Sequence, residues 1–332
     1  MQKQIITTDI IIIGAGPCGL FTVFEAGLLN LKCHLVDSLP VPGGQLAEIY
    51  PKKPIYDIPG YPEILAIDLV DNLMKQIAPF QPGFTLGETA ESIIKLDDGK
   101  FELTTDRGTK IKGSVIAIAG GLGCFEPRKP EIHNLSNYED KGVDYIIRDP
   151  NKYKDKRIVI AVGGDSALDW TIFLSDVASE VYLVHRRTEF RGAPESVNKI
   201  KSLIDKGKIR LLLNSEVVNL GGLDHLENVS IKAEDREHSV SCDYFIPLFG
   251  LTPKLGPIDK NSILVDTFDY STNVPGIFAI GDINSYPGKL KLILCGFHEA
   301  TLMVQSAYKI VHGGKKPSFK YTTVTGINPI QN

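Results

Sequence analysis

Two glycine-rich turns carry the spacing for chemistry in this chain: Gly14-Ala15-Gly16-Pro17-Cys18-Gly19 and Val162-Gly163-Gly164-Asp165-Ser166-Ala167. Each follows a short apolar strand and precedes a run compatible with a helix. Backbone amides and the helix dipole at such a turn can hold a pyrophosphate. The charges that follow the two turns are opposite. Asp37 stands about twenty residues beyond the first, where an acid accepts hydrogen bonds from ribose hydroxyls and repels a 2′-phosphate. His185-Arg186-Arg187 follows the second, and guanidinium groups match phosphate oxygens in pairs. The pair predicts FAD held at Gly14, Gly16, Gly19 and Asp37, and NADPH held at Gly163, Gly164, Arg186 and Arg187, with Arg191 a possible third clamp.

Further residues fit the first site. Pro42-Gly43-Gly44-Gln45 lets backbone approach a ligand closely, and the Gln45 amide offers both a donor and an acceptor to a flavin edge. Tyr50 is a candidate for stacking on the flavin ring. Asp282, in Gly276-Ile277-Phe278-Ala279-Ile280-Gly281-Asp282, is expected either to take a ribityl hydroxyl, to cap the helix that follows, or both. At the second site, Val162 occupies the position where a tight-turn glycine is usual. A β-branched residue is strained there if φ must be positive and comfortable if the backbone stays extended. The expectation is NADPH binding weaker than a glycine would allow.

The elements that must position these residues repeat. Strand, turn, helix (Gly19 to Leu29) and strand (Lys32 to Asp37) lead into a long loop rich in Pro and Gly. Strand-like segments follow at Ser92 to Leu96, Lys100 to Thr105 and Lys110 to Ile118. Lys154 to Val184 repeats the opening plan, with further strands at Ile209 to Leu213 and Val229 to Ile231. A return crossing near Asp243 to Phe249 precedes the Gly276 strand and a helix from Gly296 to Val311. The fold class is α/β: two Rossmann-like dinucleotide-binding domains, with the FAD domain (1–118 and 248–332) interrupted by an NADPH domain (119–247). Such a repeated plan fits an internal duplication.

Composition bounds the rest. The chain has 332 residues, 43% hydrophobic and 23% charged, with a net charge of −4, which suits two globular domains and gives no reason to expect nucleic acid. No apolar stretch reaches the length of a membrane span, and no leader is legible before the first strand, so a cytoplasmic location is expected. Five cysteines, Cys18, Cys33, Cys124, Cys242 and Cys295, include no Cys-x-x-Cys pair, which argues against a disulfide framework, a zinc or other metal site, and a redox dithiol.

The GAGPCG, GGQL, AIGD and HRR elements resemble those of thioredoxin-reductase-type flavoproteins. Phe125-Glu126-Pro127-Arg128-Lys129, Ser285-Tyr286-Pro287-Gly288-Lys289-Leu290-Lys291-Leu292 and Tyr321-Thr322-Thr323-Val324-Thr325 narrow the match. They resemble the ferredoxin–NADP reductases built on that scaffold. The resemblance implies FAD contacts at Cys18, Asp37, Gln45, Tyr50, Ala90, Phe125, Asp282 and Thr323, with Cys18 and Ala90 acting through backbone. It also implies a homodimer in which the tail reaches the partner's flavin, with Tyr321 covering the ring. The activity implied is hydride transfer from NADPH to FAD, then single-electron transfer to ferredoxin or flavodoxin, with no side chain acting as a covalent nucleophile. Lys52, Lys53, Lys289, Lys291, Lys315, Lys316 and Lys320 are candidates for a basic rim that steers an acidic carrier. Two other readings stay open: an NAD(P)H-dependent reductase of a small disulfide or quinone, and a flavin-binding redox sensor with impaired NADPH use, the latter suggested by Val162.

Overall fold

A computed structural model describes residues 5–49, 51–147, 149–162, 164–190, 194–233, 236–254, 262–318 and 322–329. The chain forms two compact units, Met1–Phe125 with Pro253–Asn332, and Glu126–Thr252.

The first unit is built on a five-stranded parallel sheet in the order Ile277–Ala279, Val115–Ile118, Ile10–Ile13, Cys33–Asp37, Gly83–Leu86. Ile10, Ile11 and Ile12 are wholly buried, the pattern of a central strand covered on both faces. The helices Pro17–Leu28, Ala66–Ile77 and Ile293–Val311 contribute buried residues to the core beside this sheet, among them Leu20, Val23, Leu69, Leu73, Met303 and Val304. A second sheet runs Ile6–Thr7, Lys110–Gly113, Phe101–Thr105, Ala90–Lys95.

Three expectations change here. The segment 110–118 is two strands, broken at Ser114, because the amides of Ser114 and Val115 both donate to the carbonyl of Asp9, at 3.0 and 3.1 Å. The break sends one half to each sheet. The long loop after Asp37 contains a helix, Ala66–Ile77, and the outer parallel strand Gly83–Leu86. Leu69, Val70, Leu73 and Ile77 lie on one buried face at helical spacing, each worth about 1.5–3 kcal/mol of transfer from water. That stripe is itself a helix signal in the sequence, set between flanks rich in proline and glycine. The last long helix begins at Ile293, three residues before Gly296.

The second unit repeats the first in strand order. Tyr244–Leu248, Arg157–Val162, Glu180–His185 and Arg210–Leu213 form a parallel sheet, with the fingerprint strand in the same relative place. Ser215–Gly221, Asn228–Ala233 and Arg236–Ser241 form an antiparallel sheet like the one made by Ala90–Lys95, Phe101–Thr105 and Lys110–Gly113.

Candidate functional site

A cavity of about 240 Å³ opens in the first unit at the carboxyl ends of the parallel strands, the usual ligand position in an open α/β sheet. Gly14, Gly16, Cys18, Asp37, Gln45, Ala90 and Asp282 all line it. Gly14 has φ +109°, and a Cβ there would lie 2.4 Å from the carbonyl oxygen of Ala119. Gly19 does not line the cavity. It sits behind the turn, where a Cβ would meet the Gly14 carbonyl oxygen at 2.0 Å, so it permits helix and turn to pack. Gly16 is the residue before the helix Pro17–Leu28 and faces Gly44, whose φ of +56° brings two side-chain-free backbones together. The amide of Gly43 donates to the carbonyl of Ala15 at 2.8 Å and holds that arrangement.

Asp37 ends its strand with both oxygens in use: Oδ2 accepts from the amide of Ala15 at 2.6 Å, and Oδ1 from the amide of Leu39 at 2.9 Å. Burial pushes its carboxyl above the ordinary value, the two amides pull it back, and Glu48 adds to the rise. Cys18 is packed against Gly281 and Gly296, where added Cβ atoms would lie 3.0 and 2.2 Å from its sulfur. Burial first, then Asp282 and Glu299, push this thiol up to about 12, so it stays protonated at neutral pH.

Asp282 lies in the short 3-10 turn Gly281–Ile283 and faces the cavity. It does not cap the helix expected to follow. That helix starts at Ile293 with Leu292 at the capping position, and the short strand Asn284–Ser285 and the loop 286–292 separate it from the turn. Burial raises the Asp282 carboxyl, while Lys291 and Lys289 lower it. Lys291 also lines the cavity.

Behind the turn lies Glu299, wholly buried on the helix Ile293–Val311. Its Oε2 accepts from the amide of Gly281 at 2.6 Å and from Asn284 Nδ2 at 2.8 Å; its Oε1 accepts from Tyr286 Oη at 2.9 Å and from Lys289 Nζ. The Lys289 side chain is 7% exposed. Lys289 is therefore no rim lysine, contrary to the sequence expectation.

In the second unit, Gly164 immediately precedes the helix Asp165–Leu174 with an extended backbone. Arg186 and Arg187 follow the strand Glu180–His185, and both side chains are exposed. Val162 is the last residue of its strand and is paired in register with Leu248, so its backbone is extended. The strained alternative for Val162 is thus removed: Gly14 turns where Val162 is still extended.

A family model for pyridine nucleotide-disulphide oxidoreductases matches residues 8–306. The chain belongs to the pyridine nucleotide-disulphide oxidoreductase family. It is 63% identical over 331 residues to a protein of Flavobacterium johnsoniae named ferredoxin–NADP reductase, covering 97% of this chain and 95% of that one. A ferredoxin–NADP reductase of Bradyrhizobium sp. is 49% identical, with 97% and 96% covered. Among solved structures, thioredoxin reductase of Lactococcus lactis is similar with a TM-score of 0.68 at 25% identity, covering 92% and 99%. Thioredoxin reductase of T. acidophilum is similar in fold, with a TM-score of 0.70 at 23% identity over 91% and 98%.

As a member of this family the chain assembles most of the expected first-site residues around one cavity, and some fall elsewhere. Tyr50, Gly163, Arg191, Lys320 and Tyr321 lie outside the described residues. Phe125 belongs to the strand Cys124–Pro127. Thr323, in the short helix Thr322–Thr325, is exposed and does not line the cavity. The sequence reading missed Glu88, which lines the cavity and accepts from Thr105 Oγ1 at 2.5 Å, and Glu299. Glu299 had a legible signal: it interrupts the buried helical stripe of Gly296, Ala300, Met303, Val304 and Ala307. An acid on such a stripe must be paired. No helix among the described residues is long and apolar enough to cross a membrane.

Proposed function

We infer that this chain is an FAD-dependent ferredoxin–NADP reductase. The observation that carries the reading is the convergence of Gly14, Gly16, Asp37, Gln45, Ala90 and Asp282 on one cavity, in a chain 63% identical to a protein of that name. The cavity residues fit a dinucleotide: backbone at Gly14, Gly16, Gly44, Gly120 and Gly121 lines it without side chains, and carboxylates at Asp37 and Asp282 are placed to accept from hydroxyl groups.

In this reading Met1–Phe125 with Pro253–Asn332 holds FAD and Glu126–Thr252 holds NADPH. Gly16 and the first amides of the helix Pro17–Leu28 take the diphosphate, and Asp37 takes the ribose hydroxyls. Gln45 presents its amide to the ring edge, while Tyr50, Phe125 and Tyr321 supply aromatic contacts. Arg186 and Arg187 clamp the 2′-phosphate, with Gly163 and Gly164 leaving room for the second diphosphate. FAD held there would supply hydride acceptance from NADPH and single-electron release. The protein's part is to orient the reacting groups and set the local charge. The neutral thiol of Cys18 takes no part in electron relay.

The electron carrier is ferredoxin or flavodoxin, met by a rim that includes the exposed Lys52, Lys53, Lys291, Lys315 and Lys316. A homodimer would place Thr323, exposed and away from the cavity of its own chain, against a second copy. NADPH-linked chemistry and the buried free cysteines Cys33 and Cys242 suit the cytoplasm. The sensor reading loses its support once Val162 is extended.

The test is anaerobic mixing with NADPH, then cytochrome c reduction with and without ferredoxin. Rapid bleaching of the flavin spectrum and reduction dependent on ferredoxin are expected. Reduction that ignores added ferredoxin overturns the choice of carrier; a flavin that stays oxidised for minutes overturns the reductase.

A further inference from the structure

We propose that Glu299 and Lys289 form a positioning and charge-setting pair for the flavin: the Glu299 carboxylate fixes the turn that aims Asp282 into the cavity, and the balance between the two buried charges sets the flavin potential. This rests on the reading that FAD occupies the cavity of the first unit.

The geometry is that of a clamp. One carboxylate receives four donors drawn from 281, 284, 286 and 289, so every favourable site on its two oxygens is used. Asn284 Nδ2 also donates to the carbonyl of Ala279 at 3.1 Å, which ties the strand end to the same helix. Gly281 holds φ +74°, and Asp282 follows directly. The position of Asp282 is therefore dictated by a residue that never touches the cavity itself. Asn284 Oδ1 is buried without a hydrogen-bond partner, which marks its orientation as one imposed by the demand of Glu299 for the amide donors.

The charge of the pair reaches the cavity wall. Cys18 and Asp282 both line the cavity, and the protonation of both responds to Glu299 and Lys289. Charges in so dry a setting act strongly over short range. Glu299 disfavours added negative charge on a reduced flavin, and Lys289 favours it.

The experiment measures the flavin midpoint potential and the FAD dissociation constant of the full-length protein, parent and variants, anaerobically. E299Q is expected to raise the potential, K289M to lower it, and the double variant to return toward the parent. A purely structural role moves both single variants the same way or neither. Same-sign or absent shifts in a flavinated parent background overturn the proposal while leaving the FAD reading intact; a parent that takes up no FAD overturns both. Should E299Q fail to fold, Y286F and K289M each strip one donor from the carboxylate and keep its charge. K289M, which removes a charge, is expected to shift the potential downward and Y286F, which removes none, to leave it near the parent; equal shifts in the two overturn the proposal.

Discussion

The amide of Ala15, inside the first glycine turn, donates to Oδ2 of Asp37 at 2.6 Å. The residue assigned to the ribose is thereby tied to the loop assigned to the diphosphate, across a separation of 22 residues. Loss of the Asp37 carboxylate strips a charge-assisted bond from the turn and a ligand acceptor at once. D37A is expected to weaken FAD binding by about ten- to hundredfold, from roughly 1.5–3 kcal/mol per charged hydrogen bond. Flavin release followed by fluorescence measures it; a variant that retains FAD as tightly as the parent refutes the assignment.

Acid should loosen FAD earlier than ordinary carboxylates would predict. Burial raises both the Asp37 and Asp282 carboxyls. A raised acid binds its proton more readily in the folded state, so its cost to the apo fold is present at neutral pH and is relieved as pH falls through the raised value. Ligand binding has the opposite sign, because ribose hydroxyls donate to the ionised form. FAD release on acidification is expected to begin above the usual carboxylate value of about 4, and D37N should flatten the profile. Equal release curves for parent and D37N would count against it.

Gly296 and Cys18 offer a paired test of packing. A Cβ at Gly296 would lie 2.2 Å from the Cys18 sulfur. G296A is expected to lower stability by about 1–3 kcal/mol through overpacking. C18A/G296A should recover much of it, as a denaturant titration will report. C18A alone should keep reductase activity, since its thiol is protonated and uninvolved in electron relay.

Arg186 and Arg187 should separate NADPH from NADH. Replacing either by alanine is expected to raise KM for NADPH about ten- to hundredfold and to leave KM for NADH nearly unchanged. Equal losses for the two nucleotides would place these exposed side chains away from the 2′-phosphate.

Val162 is expected to be benign. V162G should leave the NADPH dissociation constant within about twofold while costing roughly 0.5–1 kcal/mol of stability, because glycine weakens a strand. Titration of NADPH with each protein decides it; a marked gain in affinity would show that the turn wants a glycine there after all.

What the sequence determined by itself is whatever depends on neighbours along the chain. A glycine turn must follow its strand and precede its helix, and the acid or arginines must sit at the end of the next strand. Gly14, Gly16, Asp37, Gly164, Arg186 and Arg187 were legible on that ground. Backbone conformation was only half legible: the same position in the two turns is φ +109° at Gly14 and extended at Val162. Tertiary structure alone decided what depends on approach through space. Lys289 reads as a solvated lysine until the helix Ile293–Val311 brings Glu299 against it, and Asp282 reads as a helix cap until the strand Asn284–Ser285 and the loop 286–292 are seen to intervene. The helix Ala66–Ile77 was legible at its own spacing, since Ala66, Leu69, Val70, Leu73 and Ile77 recur on one helical face over twelve residues. Sequence spacing can mark which residues approach a phosphate. It cannot show which buried charge stands behind them, because that partner comes from a distant part of the chain and is chosen by packing.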